Sequence, residues 1–143
     1  MCGLAGFTGP PLPDALRAMC GALVHRGPDD AGYFESPSLS LGLRHLAVAD
    51  IGDGQQPVSG EAGRVTAIMD GRIFNHQTLR RTLVEAGHRF RTDHADSEIC
   101  PHAFEEWGVS WPTRANGMFA AALWDDQEKA LYLYRDRLGK KPL

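Results

Sequence analysis

Cys2 stands directly behind the initiator methionine, in Met1-Cys2-Gly3-Leu4-Ala5-Gly6-Phe7-Thr8-Gly9. Clipping Met1 would make it the N-terminal residue, so that one residue carries both a thiol and a free α-amino group. The amine can then act as local base, and such a nucleophile needs no histidine partner. If Met1 stays, that amine is locked in a peptide bond and this chemistry is blocked. Position alone leaves a second reading equally open, in which Cys2 packs as a small hydrophobe in a buried strand. The other cysteines, Cys20 and Cys100, make an odd total at no metal-like spacing. No metal and no cofactor are expected, and reduced thiols in a cytoplasmic setting are the simplest reading.

The elements that must position these groups are limited by size and composition. A chain of 143 residues fits one domain, spanning 1–143, large enough to bury a core without disulfides. Hydrophobic residues make up 43% and charged residues 23%, as in ordinary globular chains. A net charge of −3 supplies no basic field, so nucleic acid is not an expected partner. No apolar run approaches the ~20 residues of a membrane span, so no membrane is expected either. The first 25 residues show no secretory signal pattern.

In chain order, Leu4 to Phe7 reads as a short apolar strand that ends at Thr8-Gly9-Pro10-Pro11. Pro13 to Val24 reads as a helix with Leu16, Met19, Cys20 and Leu23 inward. His25-Arg26-Gly27-Pro28-Asp29-Asp30 is a loop dense in turn formers, followed by strands at Tyr33-Phe34 and Leu39 to Ile51. Val65 to Met69 reads as a strand broken by Asp70-Gly71. Asn75 is expected to cap a helix that runs to Glu85 and stops at Gly87. A further helix should begin near Asp96, a plausible N-cap, with Pro101 as a kink. Met118 to Trp124 is apolar on both faces, and Asp125 to Lys129 turns it into Ala130 to Arg135. The count of elements gives an α+β class.

Five stretches, taken in order, carry a resemblance. They are Met1-Cys2-Gly3-Leu4-Ala5-Gly6, His25-Arg26-Gly27-Pro28-Asp29-Asp30, Asp70-Gly71-Arg72-Ile73-Phe74-Asn75-His76, Asn116-Gly117-Met118-Phe119-Ala120, and Arg135 through Leu143. Together they resemble the N-terminal glutaminase domain of glutamine-hydrolysing asparagine synthetases, a class II glutamine amidotransferase. The resemblance implies an N-terminal-nucleophile hydrolase fold, an αββα four-layer sandwich of antiparallel sheets. It implies that Cys2 attacks the side-chain amide of glutamine, that a thioester forms, and that ammonia leaves. It places Arg26 and Gly27 in the loop behind the nucleophile, and assigns Gly71 a backbone donor to the oxyanion.

Measured against that family, the departures fall on groups that handle substrate. The family's arginine for the glutamine α-carboxylate aligns with His45, which cannot form the bidentate fork. Neighbouring Arg44 would point to the opposite face of a strand. The family asparagine that donates to the oxyanion aligns with Asp70, and an ionised carboxylate has no donor there. Losing one such donor typically costs about 2.7–4 kcal/mol of transition-state stabilisation. Arg72 replaces a carboxylate that would face the substrate ammonium. Asp96 matches the aspartate that contacts the substrate amino group, and backbone near Leu46, Val48 and Ala49 would complete the pocket. The chain ends at Leu143, before the family's next strand pair and its ATP-using synthetase domain. The missing strands are expected to leave a sheet edge uncovered, to be closed by a second copy or a partner protein.

Three readings follow. The chain is a glutaminase passing ammonia to a separate synthetase; or a relative with an altered pocket acting on a different small molecule; or a non-catalytic module that binds a partner. Retention of Cys2 speaks for catalysis, whereas His45, Asp70 and Arg72 speak against an ordinary glutaminase.

Overall fold

Seven consecutive residues of one strand, Phe119 to Asp125, are buried, and that strand forms the centre of a four-stranded sheet. The structure is a computed structural model, described for residues 2–46 and 55–143. It divides into two compact units, Met1–Pro57 and Val58–Leu143. Each unit contains one antiparallel sheet, which gives the α+β class expected from the sequence.

In the first unit, β1 (Gly3–Thr8), β2 (Asp30–Ser36) and β3 (Leu39–His45) form a sheet in the order β1-β3-β2. The central strand β3 is held on both sides, and Leu39, Leu41 and Leu43 are all buried. Helix α1 (Pro13–Ala22) opens with proline in its first turn, where a missing N–H costs nothing. It buries Leu16 and Cys20 against β3, but Met19, expected to face inward, is exposed. Strand β3 ends at His45; the remainder of the strand expected to run to Ile51 lies largely outside the described residues.

In the second unit the sheet order is β4-β5-β6-β7, with β4 at Val58–Ser59, β5 at Val65–Ile73, β6 at Gly117–Asp125 and β7 at Ala130–Arg135. Odd-numbered residues of β5 and β6 (Val65, Ala67, Met69, Ile73, Phe119, Ala121, Leu123) join one apolar core, as the two-residue period of a strand demands. Helices α2 (His76–Glu85) and α3 (Ile99–Trp107) supply the opposing residues Leu79, Leu83, Ile99, Ala103 and Phe104. Trp111 fills the space beside them and stacks on Phe119 with ring centroids 5.6 Å apart. Burying a side chain of this kind stabilises the fold by roughly 1.5–3 kcal/mol. Among the described residues no helix is long and apolar enough to cross a membrane.

Three expectations need correction here. Asp70-Gly71 does not break β5, because Gly71 pairs with Phe119 and the ladder continues to Ile73. Asn75 sits at the start of α2 but makes no cap bond; its amide instead donates to the Arg114 carbonyl and accepts from the Asn116 N–H. Helix α3 begins at Ile99, after a 3₁₀ turn at Asp96–Glu98, so Pro101 falls within the first helical turn and kinks nothing.

The far end of the β5–β6 pair is closed by charge. Arg64 donates two hydrogen bonds to Asp125, at 3.0 and 2.6 Å, and Asp125 also accepts from the N–H groups of Gln127 and Glu128. Chiefly through the bond from Arg64, and despite partial desolvation, the Asp125 carboxyl is held below its ordinary pKa. A depressed folded pKa stabilises the protein above the unfolded value and ceases to do so as pH falls through the folded one. The Arg64 side chain is 41% exposed, so solvent screens the attraction and the hydrogen bonds carry most of the effect. Asp125→Ala should therefore cost about 2 kcal/mol at neutral pH. In urea titrations at several pH values, the gap between variant and parent should narrow below about pH 4.

Candidate active site

Strand pairing brings Cys2 to His45. The register Gly3↔Arg44, extended by one residue, sets position 2 opposite position 45. The Cys2 Sγ lies 3.6 Å from the His45 Nδ1. At that separation a thiol can pass its proton to the ring, in the tautomer that leaves Nδ1 unprotonated. Cys2 and His45 are both half-buried, and so is Leu46, which follows directly after β3. Val48 and Ala49 lie outside the described residues.

The loop between α1 and β2 presses against this pair. The Arg26 Nε donates to the Cys2 carbonyl at 3.1 Å. Gly27 runs so close to β3 that a Cβ there would stand 2.5 Å from the Arg44 carbonyl and 2.7 Å from the His45 nitrogen. Arg44 locks the loop from the other side, donating to the carbonyls of Gly27 at 2.7 Å and Pro28 at 2.9 Å. Its guanidinium is committed to holding the loop.

Of the three free cysteines among the described residues, only Cys2 is partly exposed. Burial pushes the thiols of Cys20 and Cys100 up, which keeps them protonated and inert.

In the second unit, Asp70, Gly71 and Arg72 follow one another in β5, and Asp96 reaches the same strand from the 3₁₀ turn. The Asp96 carboxylate accepts the Ile73 N–H at 2.8 Å, and Asp96 is the first residue of the 3₁₀ turn, whose N-cap position is taken by Ala95. Gly71 has φ +130 and its missing Cβ would collide with the Met118 carbonyl oxygen. No other residue fits that place without moving β6. Arg72 is half-buried opposite Met118.

Asp70 is buried on the sheet face away from α2 and α3, and Lys141 meets it with Nζ 3.3 Å from Oδ1. Lys141 is buried as well. Asp136 bends the chain to deliver it: its carboxylate accepts the N–H groups of Leu138, Lys140 and Lys141. Burial raises the Asp136 pKa, but those backbone donors outweigh it and leave the carboxyl below its ordinary value. Sequence reasoning did not find Lys141 as a partner of Asp70, because nothing local links positions 71 residues apart. The motif from Arg135 to Leu143 was the one available signal.

The model of the glutamine amidotransferase domain family matches residues 1–143. The chain belongs to this family. Its two antiparallel sheets with few helices are consistent with the N-terminal-nucleophile hydrolase fold of these domains. Among characterised relatives, glutamine-hydrolysing asparagine synthetase 2 of Bacillus subtilis (strain 168) is 35% identical over 150 residues, covering 100% of this chain and 20% of the relative. Asparagine synthetase 1 of the same organism is 35% identical over 150 residues, with 100% and 24% covered. Asparagine synthetase 1 of Arabidopsis thaliana is 35% identical over 117 residues, with 82% and 20% covered. The chain thus spans about a fifth to a quarter of the length of these relatives. In a glutamine amidotransferase domain, Cys2, directly behind Met1, fits the family's nucleophile.

The Asp70–Lys141 pair is open to measurement. Removing one partner of a buried pair usually costs about 3–5 kcal/mol. Lys141→Met should therefore lower stability by about 3 kcal/mol in chemical denaturation. A double-mutant cycle with Asp70→Asn should return a coupling of about 1–3 kcal/mol. Strict additivity would show that the two charges do not interact.

Proposed function

We propose that this glutamine amidotransferase domain hydrolyses a glutamine-like side-chain amide through a thioester on Cys2 and releases ammonia to a synthetase acceptor. The acceptor can be carried on the same polypeptide or on a partner. The observation that carries the reading is the 3.6 Å contact between Cys2 Sγ and His45 Nδ1. Support comes from the family match and from relatives named as glutamine-hydrolysing asparagine synthetases.

In this reading His45 takes the thiol proton and the thiolate attacks the amide carbon. The oxygen becomes a transient oxyanion, for which the Gly71 backbone N–H is the proposed donor. The carbon–nitrogen bond breaks, the imidazolium returns its proton to the leaving nitrogen, and ammonia departs. Water, deprotonated by His45, then cleaves the thioester and the acid product leaves with Cys2 restored. A thiolate–imidazolium pair does not depend on a free α-amine, so it works whether or not Met1 is removed. Where Met1 is removed, the amine offers a second route for the same proton. Arg26 positions Cys2 through its carbonyl and keeps the thiol at the end of the sheet. Asp96, Arg72 and Leu46 are the proposed substrate contacts, with Val48 alongside.

A second reading is favoured by the charges of β5. Arg72, with Lys141 beside Asp70, puts cations where the related domains are expected to meet a substrate ammonium. A relative acting on an amide without a free amino group would suit that arrangement.

Assays of glutamate release from L-glutamine, with intact-mass detection of a diazoketone glutamine analogue on the thiol, distinguish these. Cys2→Ala should abolish both turnover and labelling. His45→Gln should lower kcat/KM by roughly 100- to 10,000-fold and remove the limb of the pH profile that reports the base. A His45→Gln enzyme at full rate would assign the proton to the α-amine instead. Labelling of Cys2 by simple alkylating agents but not by the glutamine analogue would favour the second reading. Full turnover by Cys2→Ala would overturn both.

A further inference from the structure

Away from these groups, the second unit gathers two imidazoles and three carboxylates, of which Glu61, His88 and Glu105 line an open cleft of about 380 Å³. Glu61 comes from the turn between β4 and β5, His88 from the segment after α2, and His102 and Glu105 from α3. The Nδ1 atoms of His88 and His102 lie 3.3 Å apart. Glu61 Oε1 stands 3.6 Å from the first and 3.9 Å from the second. We propose that Glu61, His88 and His102 form a binding site for a divalent transition-metal ion of the zinc class, with Glu105 as fourth ligand.

Geometry is the first argument. Two nitrogens bound to one tetrahedral zinc at 2.0–2.1 Å stand about 3.3–3.4 Å apart, which is the separation of the two imidazoles. A carboxylate oxygen on the same ion would lie at about 3.3–3.5 Å from each nitrogen. The Glu61 oxygen is a few tenths of an ångström wider, a gap that rotation of its side chain closes.

The surrounding groups are already arranged as metal ligands require. A ligating histidine usually donates its other ring N–H to a carboxylate, which fixes the tautomer. His88 Nε2 lies 3.3 Å from Glu106 Oε2, so the proton belongs on Nε2 and the lone pair of Nδ1 faces the cluster. The Arg89 backbone N–H donates to Glu61 Oε1 at 2.6 Å and orients that carboxylate. Glu105 contributes a buried oxygen, Oε1, without a hydrogen-bond partner among the described residues, and its Oε2 lies 4.0 Å from His102 Nδ1.

Charge points the same way. Three carboxylates share this corner, and the guanidinium that lines the cleft, Arg64, is already committed to Asp125. A divalent cation would balance that excess. The imidazole pair favours zinc and its neighbours over magnesium or calcium, which take oxygen ligands. An ion here would tie the β4–β5 turn, the end of α2 and the middle of α3 into one cross-linked structure. Its role is a structural clasp, independent of the chemistry proposed for Cys2.

The test uses the full chain, stripped with a chelator and carrying Cys2→Ala so that the exposed thiol cannot compete. Zinc titration by calorimetry should give one equivalent bound, and zinc should raise the thermal midpoint while magnesium should not. Cobalt should give the visible bands of a four-coordinate nitrogen–oxygen site without a thiolate charge-transfer band. His88→Gln and Glu61→Gln should each weaken zinc binding at least roughly tenfold with the far-ultraviolet circular dichroism unchanged. Glu61 lies in an exposed turn, so its variant decides the matter if His88→Gln does not fold. Absence of zinc binding by the parent, or equal binding by a folded Glu61→Gln variant, would overturn the proposal.

Discussion

The register of β1 on β3 is the constraint on which the chemistry depends. Side chains alternate faces along a strand, so a slip of one residue would turn Cys2 away from His45 and set it against a different neighbour. Three devices hold that register in the first unit. Leu39, Leu41 and Leu43 are buried on a strand paired on both edges, so any slip would move several apolar side chains at once. The Arg26–Cys2 hydrogen bond pins the end of β1 to the loop. Arg44 then ties that loop to β3 through two carbonyls. The loop, Cys2 and His45 therefore form a closed mechanical circuit built almost entirely on backbone acceptors.

A different logic governs the second unit, where charge is buried and compensated. Asp70 would be expensive on a sheet face without a counterion, and Lys141 supplies one from a turn that Asp136 shapes through three backbone donors. Such a pair contributes little net stability compared with an apolar substitute. It does set the local field. In the proposed reading, a carboxylate balanced by an ammonium would repel a developing oxyanion less than a bare one. Arg72, next along β5, adds positive charge nearby. The domain keeps the glycine that allows β5 and β6 to touch, while the charges around it differ from those the resemblance leads one to expect.

How much of this was legible in the sequence follows from how local each signal is. Strand β6, apolar on both faces, and the strand β7 after its acidic turn were legible because burial and turn chemistry act over a few residues. Helix α2 and its stop at Gly87 were legible for the same reason. The continuity of β5 was not, since a glycine at positive φ usually ends a strand, and only the pairing partner Phe119 reveals that this one does not. Strand β4, two residues long, carries no periodicity at all. Of the site, Cys2 was legible from its position and Arg26 and Gly27 from the loop motif. The proximity of His45 to the thiol was not, because it is a consequence of register across 43 residues.

His45 also changes what the domain requires of its own chain. A nucleophile that relies on its α-amine acquires a base only after the preceding residue is cut, so its activity is tied to processing. A base on a neighbouring strand is present as soon as the sheet forms, and its position is as secure as the backbone ladder that carries it. The exchange has a cost, because an imidazole cannot also provide the forked, permanently charged grip on a carboxylate that an arginine gives. A single position thus serves either binding or proton transfer well. In the proposed reading, the 3.6 Å contact with sulfur commits this position to proton transfer. In that reading, grip on the substrate carboxylate has to come from groups other than position 45.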